Sequence, residues 1–252
     1  MNYSKLSLSL TEKIDKNTKK NNGIYFTPIN IIKDNLNYIK PYIKDIKNVL
    51  EPSCGSCEYI LEINKQFDDL NITGLENNNI IYNKIKKYSK DNIIIENQDF
   101  LEYKTDNKYD LIIGNPPFFV IKKDKISNEY YKYFDGRPNI FLIFIVKSLE
   151  LLNDNGILSF ILPKNFLNCL YYNKLREYIN NNFEILNIIN CENKFIETQQ
   201  ETFIFIIKKN IIPNVNKRFI LEINNLTIFG SENNIYKLKE LYNNSTTLSL
   251  LN

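Results

Sequence analysis

The residues best suited to chemistry form the tetrapeptide Asn115 to Phe118, which directly follows the apolar run Asp110 to Gly114. Two prolines after a buried strand stop sheet pairing and restrict the backbone. The side-chain oxygen of Asn115 and the carbonyl oxygen of Pro116 can then accept hydrogen bonds from one NH₂ group. Phe118 offers an aromatic face for stacking. The tetrapeptide predicts a site for a planar molecule with an exocyclic amine.

Such an amine is a poor nucleophile, because its lone pair is delocalised into the ring. Two fixed acceptors favour the state in which positive charge develops on that nitrogen, which is electrostatic stabilisation of a transition state. If the electrophile is a sulfonium methyl group, no general base has to act before attack. The chain has no histidine, so triads and pairs that need an imidazole base, and metal sites that need histidine ligands, are excluded.

Acidic residues follow three predicted strands ahead of the tetrapeptide. Glu51 opens a turn of small residues, Glu76 ends the second strand, and Asp99 with Phe100 follows the third. Each alone is weak, since a surface glutamate or a core phenylalanine is common. Together they could bind, in this order, an ammonium group, a ribose diol and an adenine ring. The turn lacks the glycine patterns of dinucleotide sites and P-loops. The order therefore predicts S-adenosylmethionine as the cofactor.

Short β-branched runs alternate with helical patterns over most of the chain. Predicted strands centre on residues 48–50, 72–75, 93–95, 109–113, 157–162, 185–190 and 203–208. Continuous apolar strands that alternate with helices indicate a parallel sheet covered on both faces. We therefore predict an α/β fold with a seven-stranded, mostly parallel sheet and helices on both faces. Together with the cofactor predicted above, this would be a Rossmann-like methyltransferase sheet. A strand pair at 219–229 and a helix from Leu238 into the C-terminal tail are predicted as additions.

Composition sets broad limits on the chain. It has 252 residues, a net charge of +3 and a pI of about 8.4, which permits nucleic-acid binding without arguing for it. Cys54 and Cys57 form a C-x-x-C, which we interpret as reduced, packed cysteines rather than half of a metal site. No signal-peptide pattern or membrane-length apolar run is present. We expect a soluble intracellular protein, in the host cytoplasm if viral, without a metal.

In these motifs the chain resembles the gamma-class, TaqI-like N6-adenine DNA methyltransferases, from Gly23 to about Lys208. The resemblance implies that Thr27 and Pro28 lie at the methionine end of the cofactor, and that Asn115, Pro116, Pro117 and Phe118 are catalytic. It places Phe195 as a second aromatic against the flipped target adenine. The cofactor contacts that it implies are Thr27, Pro28, Glu51, Ser53, Gly55, Glu76, Asp99, Phe100 and Asn115.

The resemblance implies three segments: a polar N-terminal segment at 1–22, a catalytic domain at 23–210 and a short C-terminal extension at 211–252. The resemblance implies duplex DNA as a partner. We expect no full target-recognition domain in the given sequence, which makes a separate specificity subunit a possible second partner. Cys57 and Glu58 depart from the small or apolar residues usual in the family. Ribosomal guanine-N2 or adenine-N6 methyltransferases and release-factor glutamine methyltransferases share the tetrapeptide and remain alternatives.

Overall fold

A computed structural model of the chain describes residues 3–67, 69–191, 195, 200–210 and 217–249. Seven strands form one sheet, and two more form a separate hairpin. The strands are β1 (Asn48–Glu51), β2 (Asn71–Leu75), β3 (Ile93–Glu96), β4 (Tyr109–Gly114), β5 (Leu152–Pro163), β6 (Glu184–Asn190), β7 (Thr202–Lys208), β8 (Ile220–Ile223) and β9 (Leu226–Phe229). The helices are α1 (Lys5–Lys13), α2 (Lys16–Asn22), α3 (Ile29–Ile39), α4 (Glu58–Gln66), α5 (Asn79–Ile85), α6 (Ile140–Leu151), α7 (Asn173–Asn182) and α8 (Glu232–Ser249).

The strand order of the large sheet is β3-β2-β1-β4-β5-β7-β6. Its strands are parallel except β7, which pairs antiparallel with both β5 and β6. The predicted seven-stranded, mostly parallel sheet is therefore confirmed. The chain order reverses between β1 and β4, and the crevice beyond the carboxyl ends of such strands is where open α/β sheets bind ligands.

Two hydrophobic clusters cover the two faces of this sheet. Side chains alternate between faces along a strand, so Val49 packs into one cluster and Leu50 into the other. Helix α6 contributes ten buried residues out of twelve. A helix that is apolar on nearly all sides must be buried, and α6 accordingly packs into the cluster that contains Leu50.

The polar N-terminal segment contains two helices. Ser4 caps α1, because its side chain accepts a hydrogen bond from the backbone N–H of Ser7 at 2.9 Å. Asp15 caps α2 in the same way through Thr18. Leu10 and Ile14 pack into the hydrophobic cluster that contains Val49. The composition of this segment is mostly Lys, Asn and Ser, so its few apolar anchors did not stand out in the sequence.

The C-terminal extension is the predicted strand pair followed by a helix. Asn224 and Asn225 both have positive φ, 47° and 62°, which suits a two-residue hairpin turn. Arg176 attaches the hairpin to the domain, because its fully buried guanidinium donates to the carbonyl oxygens of Thr227, Phe166 and Cys169. Burial lowers the pKa of Arg176 to about 10.

Two boundaries differ from the sequence prediction. Strand β5 begins at Leu152 rather than near Ile157, because Leu152 pairs with Tyr109 ahead of an irregular stretch that contains Asn155 at φ 62°. Helix α8 begins at Glu232 rather than Leu238. A glutamate in the first turn favours a helix start, and Ile235 is buried in that turn.

Candidate functional site

A cavity of about 680 Å³ opens at the carboxyl ends of the central strands. Three segments meet there: an N-terminal strap (residues 23–28), a small-residue turn (residues 52–57) and the start of the Asn-Pro-Pro-Phe tetrapeptide. Predicted cofactor residues that line it are Ser53, Gly55, Glu76, Asp99, Phe100 and Asn115. A second, smaller cavity of about 30 Å³ lies beside it, and its walls include Thr27, Glu51, Ser53, Gly55 and Asn115.

The side chain of Asn115 is held in one orientation. Its Nδ2 donates to the carbonyl oxygen of Tyr25 at 3.1 Å and to Thr27 Oγ1 at 3.2 Å. Its Oδ1 is buried and has no hydrogen-bond partner within the described part of the chain. A buried oxygen without a partner costs free energy unless a ligand satisfies it. The strap therefore aims a free acceptor into the site.

The strap lies directly against the tetrapeptide. Gly23 ends α2 with φ 61°, and a Cβ atom there would lie 2.5 Å from the backbone nitrogen of Phe118. Only glycine allows both the left-handed conformation and this approach. On the other side, the hydroxyl of Ser53 donates to the carbonyl oxygen of Asn115 at 3.3 Å. Asn115 is thus held by the strap and by the turn after β1.

Glu51 ends β1 as a deeply buried carboxyl group. Its Oε2 has no hydrogen-bond partner among the described residues. Burial, reinforced by the nearby Glu58 and Glu76 carboxylates, raises the pKa of Glu51 well above its usual range. A cation in the small cavity would stabilise the ionised form and give Oε2 a partner. This environment fits the ammonium group expected beside Glu51.

Glu76 follows β2 and accepts two backbone hydrogen bonds. The N–H of Gly55 donates to Oε2 at 2.9 Å, and the N–H of Asn78 donates to Oε1 at 2.7 Å. Burial outweighs these bonds and raises the pKa of Glu76 to about 7. Each carboxylate oxygen keeps a lone pair for another donor. The pair of bonds fixes the carboxylate where it meets the cavity.

Asp99 and Phe100 form the far wall of the large cavity. Asp99 Oδ1 accepts from the N–H of Leu101 at 2.8 Å, and the ring of Phe100 lies 4.9 Å from that of Phe144 on α6. Lys147 on α6 donates to the carbonyl oxygens of Leu101 and Tyr103 and lies 5.2 Å from the Phe100 ring centre. Burial lowers the pKa of this lysine.

The predicted aromatic pair does not come together in this structure. Phe118 is half-buried, and its ring centre lies 6.1 Å from that of Phe141, with the two rings nearly perpendicular, in the cluster that also contains Leu50. Phe195 packs against the cluster on the opposite face of the sheet. Pro116 is buried, and Pro117 and Phe119 line the large cavity. Pro28 is buried at the start of α3.

Sequence reasoning missed two groups. Tyr25 acts through its carbonyl oxygen, and no side-chain pattern reveals a backbone acceptor 90 residues away from Asn115 in sequence. Lys147 could have been found, because it is the single basic residue in a helix that is mostly apolar. A lone cation in a buried helix needs partners, and here they are carbonyl oxygens around the cavity.

The four cysteines all lie within the described residues; they form no disulfide there, and three of them are buried. No cluster of three or more His, Cys, Asp or Glu residues is placed to hold a metal ion in the part of the chain that the structure describes. Within those same residues, none of the helices has the length and apolar character to span a membrane.

Comparison with solved structures shows which fold this is. A putative class I S-adenosylmethionine-dependent methyltransferase from Listeria monocytogenes superposes with a TM-score of 0.68 at 18% identity, over 83% of this chain and 66% of that one. The M protein of the type I restriction enzyme EcoKI superposes with a TM-score of 0.58 at 18% identity, over 76% of this chain and 45% of that one. The fold is that of an S-adenosylmethionine-dependent methyltransferase.

Sequence relatives are modification enzymes of viruses and bacteria. The modification methylase CviBIII of Paramecium bursaria Chlorella virus NC1A is 31% identical over 216 residues, covering 82% of this chain and 55% of the relative. The type II methyltransferase M.HincII of Haemophilus influenzae is 30% identical over 247 residues, covering 91% of this chain and 45% of the relative. The family model described as Eco57I restriction-modification methylase matches residues 1–196. The chain belongs to the Eco57I restriction-modification methylase family.

Proposed function

We propose that this chain is the catalytic part of a DNA methyltransferase that transfers a methyl group from S-adenosylmethionine to N6 of a flipped-out adenine. One observation carries the proposal: the buried, unpartnered Oδ1 of Asn115, held by two hydrogen bonds on the other end of its amide. A fixed acceptor that is free in the absence of substrate is what an attacking amine requires. Membership in a restriction-modification methylase family supports DNA as the substrate.

The cofactor fits the residues around the two cavities. Glu51 and Thr27 would hold the methionine end, with Pro28 behind Thr27 and with Ser53 and Gly55 in the adjoining turn. Glu76 would accept from the ribose hydroxyls. Asp99 would accept from the adenine amino group while Phe100 lies against the ring. When bound, S-adenosylmethionine supplies an electrophilic methyl group on a sulfonium centre.

The target amine would meet two acceptors. Asn115 Oδ1 and the carbonyl oxygen of Pro116 would accept its two N–H groups and stabilise the positive charge that develops on the nitrogen during attack. Bound S-adenosylmethionine would supply the methyl group and be left as a neutral thioether, and the surplus proton of the methylated amine would pass to solvent. A protein without histidine can perform this chemistry, because no base has to act before attack.

A duplex hides N6 of adenine in its base pair, so the target base has to leave the stack. Phe118 would stack on the extruded base, whereas Phe195 packs against the opposite face of the sheet and is not assigned to the base. The tetrapeptide alone does not separate adenine from guanine N2, ribosomal RNA adenine or a glutamine amide. The modification methylases among the relatives favour DNA over these alternatives.

The chain spans about half the length of the relatives that it matches, 55% for CviBIII and 45% for M.HincII. Its net charge is only +3. Exposed Lys122, Lys123, Lys125, Lys132 and Arg137 lie in the loop after the tetrapeptide, where they would contact phosphates, which position a protein without specifying sequence. We therefore propose that a separate subunit, or a further part of a longer protein, supplies sequence specificity.

The test is transfer of a tritiated methyl group by the purified chain to unmethylated duplex DNA, ribosomal RNA and a release factor in parallel. Label in DNA, at scattered sequences and at a low rate, is expected. Label only in RNA or in the release factor would replace the proposed substrate. Efficient methylation at a single short motif would contradict the need for a specificity subunit.

A further inference from the structure

Glu58, one of the two departures from the family pattern, lies at the start of α4 next to the 52–57 turn. Cys57 precedes it in the left-handed conformation, with φ 66°, and its side chain makes no capping hydrogen bond. A carboxylate in the first turn is favoured by the positive end of the helix dipole. The helix dipole therefore accounts for an acidic residue at this position. The contacts of its carboxylate indicate a further role.

Three serine hydroxyls surround this carboxylate. Ser4 and Ser7, both on the N-terminal helix α1, donate to Glu58 Oε1. Ser56, in the 52–57 turn, donates to Oε2. Ser7 and Ser56 are both buried. A hydroxyl has one proton and an ionised carboxylate has only acceptors, so one carboxylate satisfies all three donors.

The network joins two segments that are 49 residues apart in sequence, since Ser7 Oγ and Ser56 Oγ lie 2.9 Å apart. Helix α1 leads through α2 into the strap, whose Tyr25 and Thr27 hold the amide of Asn115. Ser56 lies next to Gly55, whose N–H donates to Glu76. One carboxylate thus ties the segment that orients Asn115 to the turn that borders the cofactor cavities.

We propose that Glu58 is a positioning residue that latches α1 onto the 52–57 turn and so keeps the strap closed over the cofactor site. The identity of the cofactor in this inference rests on the proposed function. The latch itself rests on hydrogen bonds within the chain. Without Glu58, the hydroxyls of Ser4, Ser7 and Ser56 lose their shared carboxylate acceptor and keep only one another as partners among the contacts described. The strap then keeps its contacts with Asn115 and with the backbone of Phe118, and the burial of Phe26 in the adjoining hydrophobic cluster.

The first test needs no ligand. Hydrogen exchange of the backbone amides in α1 is compared between the wild-type chain, Glu58→Ala and Glu62→Ala. Glu62 is a matched control one turn further along α4, where its carboxylate accepts from Gln66 at 2.7 Å. We expect faster exchange, by about tenfold, in α1 of Glu58→Ala, and no change in Glu62→Ala. Equal protection of α1 in all three proteins would overturn the latch.

The second test links the latch to the site. Calorimetry with S-adenosylhomocysteine should show about tenfold weaker binding to Glu58→Ala, whereas Glu58→Gln, which keeps one acceptor oxygen, should fall between it and the wild type. The double variant Ser7→Ala with Glu58→Ala should lose less binding free energy than the sum of the losses in the two single variants, because both changes break the same contact. Full affinity in Glu58→Ala would overturn the coupling.

The two proposals fail in different ways. A wild-type chain that does not bind S-adenosylhomocysteine would contradict the proposed function, and the exchange experiment would still decide the latch. If Glu58→Ala does not fold, Ser7→Ala and Ser56→Ala each remove one of the three donors and are measured in its place. Unchanged α1 exchange in both serine variants would then overturn the latch.

Discussion

The two sides of the catalytic cleft are built differently. On the cofactor side, Glu51, Glu76 and Phe100 are buried, and Glu76 is fixed by two backbone hydrogen bonds. On the target side, Phe118 is half-buried and much of the loop that follows is exposed, with lysines along it. Among the described residues, the proposed cofactor side is lined by buried or hydrogen-bonded groups, whereas the proposed target side offers few groups that could read a base. We infer that one chain supplies the chemistry and something else supplies the specificity.

Asn115 lies where the two sides meet, and its loss should have the largest effect. Asn115→Ala removes the fixed acceptor and should lower kcat by a factor of about 10² to 10³. Affinity for S-adenosylhomocysteine should fall much less, by about tenfold, because the change also removes the two hydrogen bonds that hold the strap. Single-turnover methylation and calorimetry measure the two quantities, with exposed Asn128→Ala as the control. Wild-type turnover in Asn115→Ala would remove this residue from catalysis.

Glu76 tests the cofactor side alone. Glu76→Ala should weaken binding of S-adenosylmethionine by about 10- to 100-fold, the usual worth of hydrogen bonds to a charged group. Binding of DNA should stay unchanged. Glu102→Ala is the matched control, because Glu102 also lines the large cavity but is exposed. Equal cofactor affinity in Glu76→Ala and the wild type would take Glu76 out of the site.

Phe118 tests the target side alone. Phe118→Ala should weaken stacking of the target base by about 1–3 kcal/mol, whereas Phe118→Tyr should be tolerated. A duplex with 2-aminopurine at the target position should become more fluorescent on binding to the wild type, because the base leaves the stack. Phe195→Ala should leave binding of the target base unchanged, because Phe195 packs on the opposite face of the sheet. A binding-competent duplex without a fluorescence change would contradict base flipping.

The pH dependence of cofactor affinity should be the smallest effect. Burial raises the pKa of Glu76 to about 7 in the free protein, and the ribose hydroxyls donate to the ionised form. Affinity should therefore rise with pH, by at most about tenfold between about pH 6 and about pH 8, and then level off. Glu76→Gln should flatten the profile. Affinity that falls over this range would show that Glu76 binds the cofactor in its protonated form.

The sequence was most informative about the cofactor side because its residues lie at strand ends. Parallel strands bring their carboxyl ends to one edge, so Glu51, Glu76 and Asp99 could be placed together from their order alone. The seven-stranded sheet could be predicted from the alternation of apolar strands with helical patterns along the chain. The contacts of the strap could not be predicted, because the carbonyl oxygen of Tyr25 and the left-handed φ of Gly23 depend on packing between segments distant in sequence.

The contacts of the polar helix α1 also could not be predicted from the sequence. Helix α1 has few apolar residues, and its serines attach to Glu58 through hydrogen bonds that no periodicity reveals. The departure at Glu58 was visible in the sequence, but only the structure shows the three hydroxyls around it. On the target side, Phe118 and Phe195 were grouped by resemblance, and the structure packs them on opposite faces of the sheet.

The most direct measurement is the identity of the methylated base. Unmethylated duplex DNA is incubated with the chain and S-adenosylmethionine, digested to nucleosides and analysed by mass spectrometry. The account predicts N6-methyl-2′-deoxyadenosine in the wild-type reaction and its near absence with Asn115→Ala. Methylation of cytosine or guanine instead, or equal product from Asn115→Ala, would contradict it.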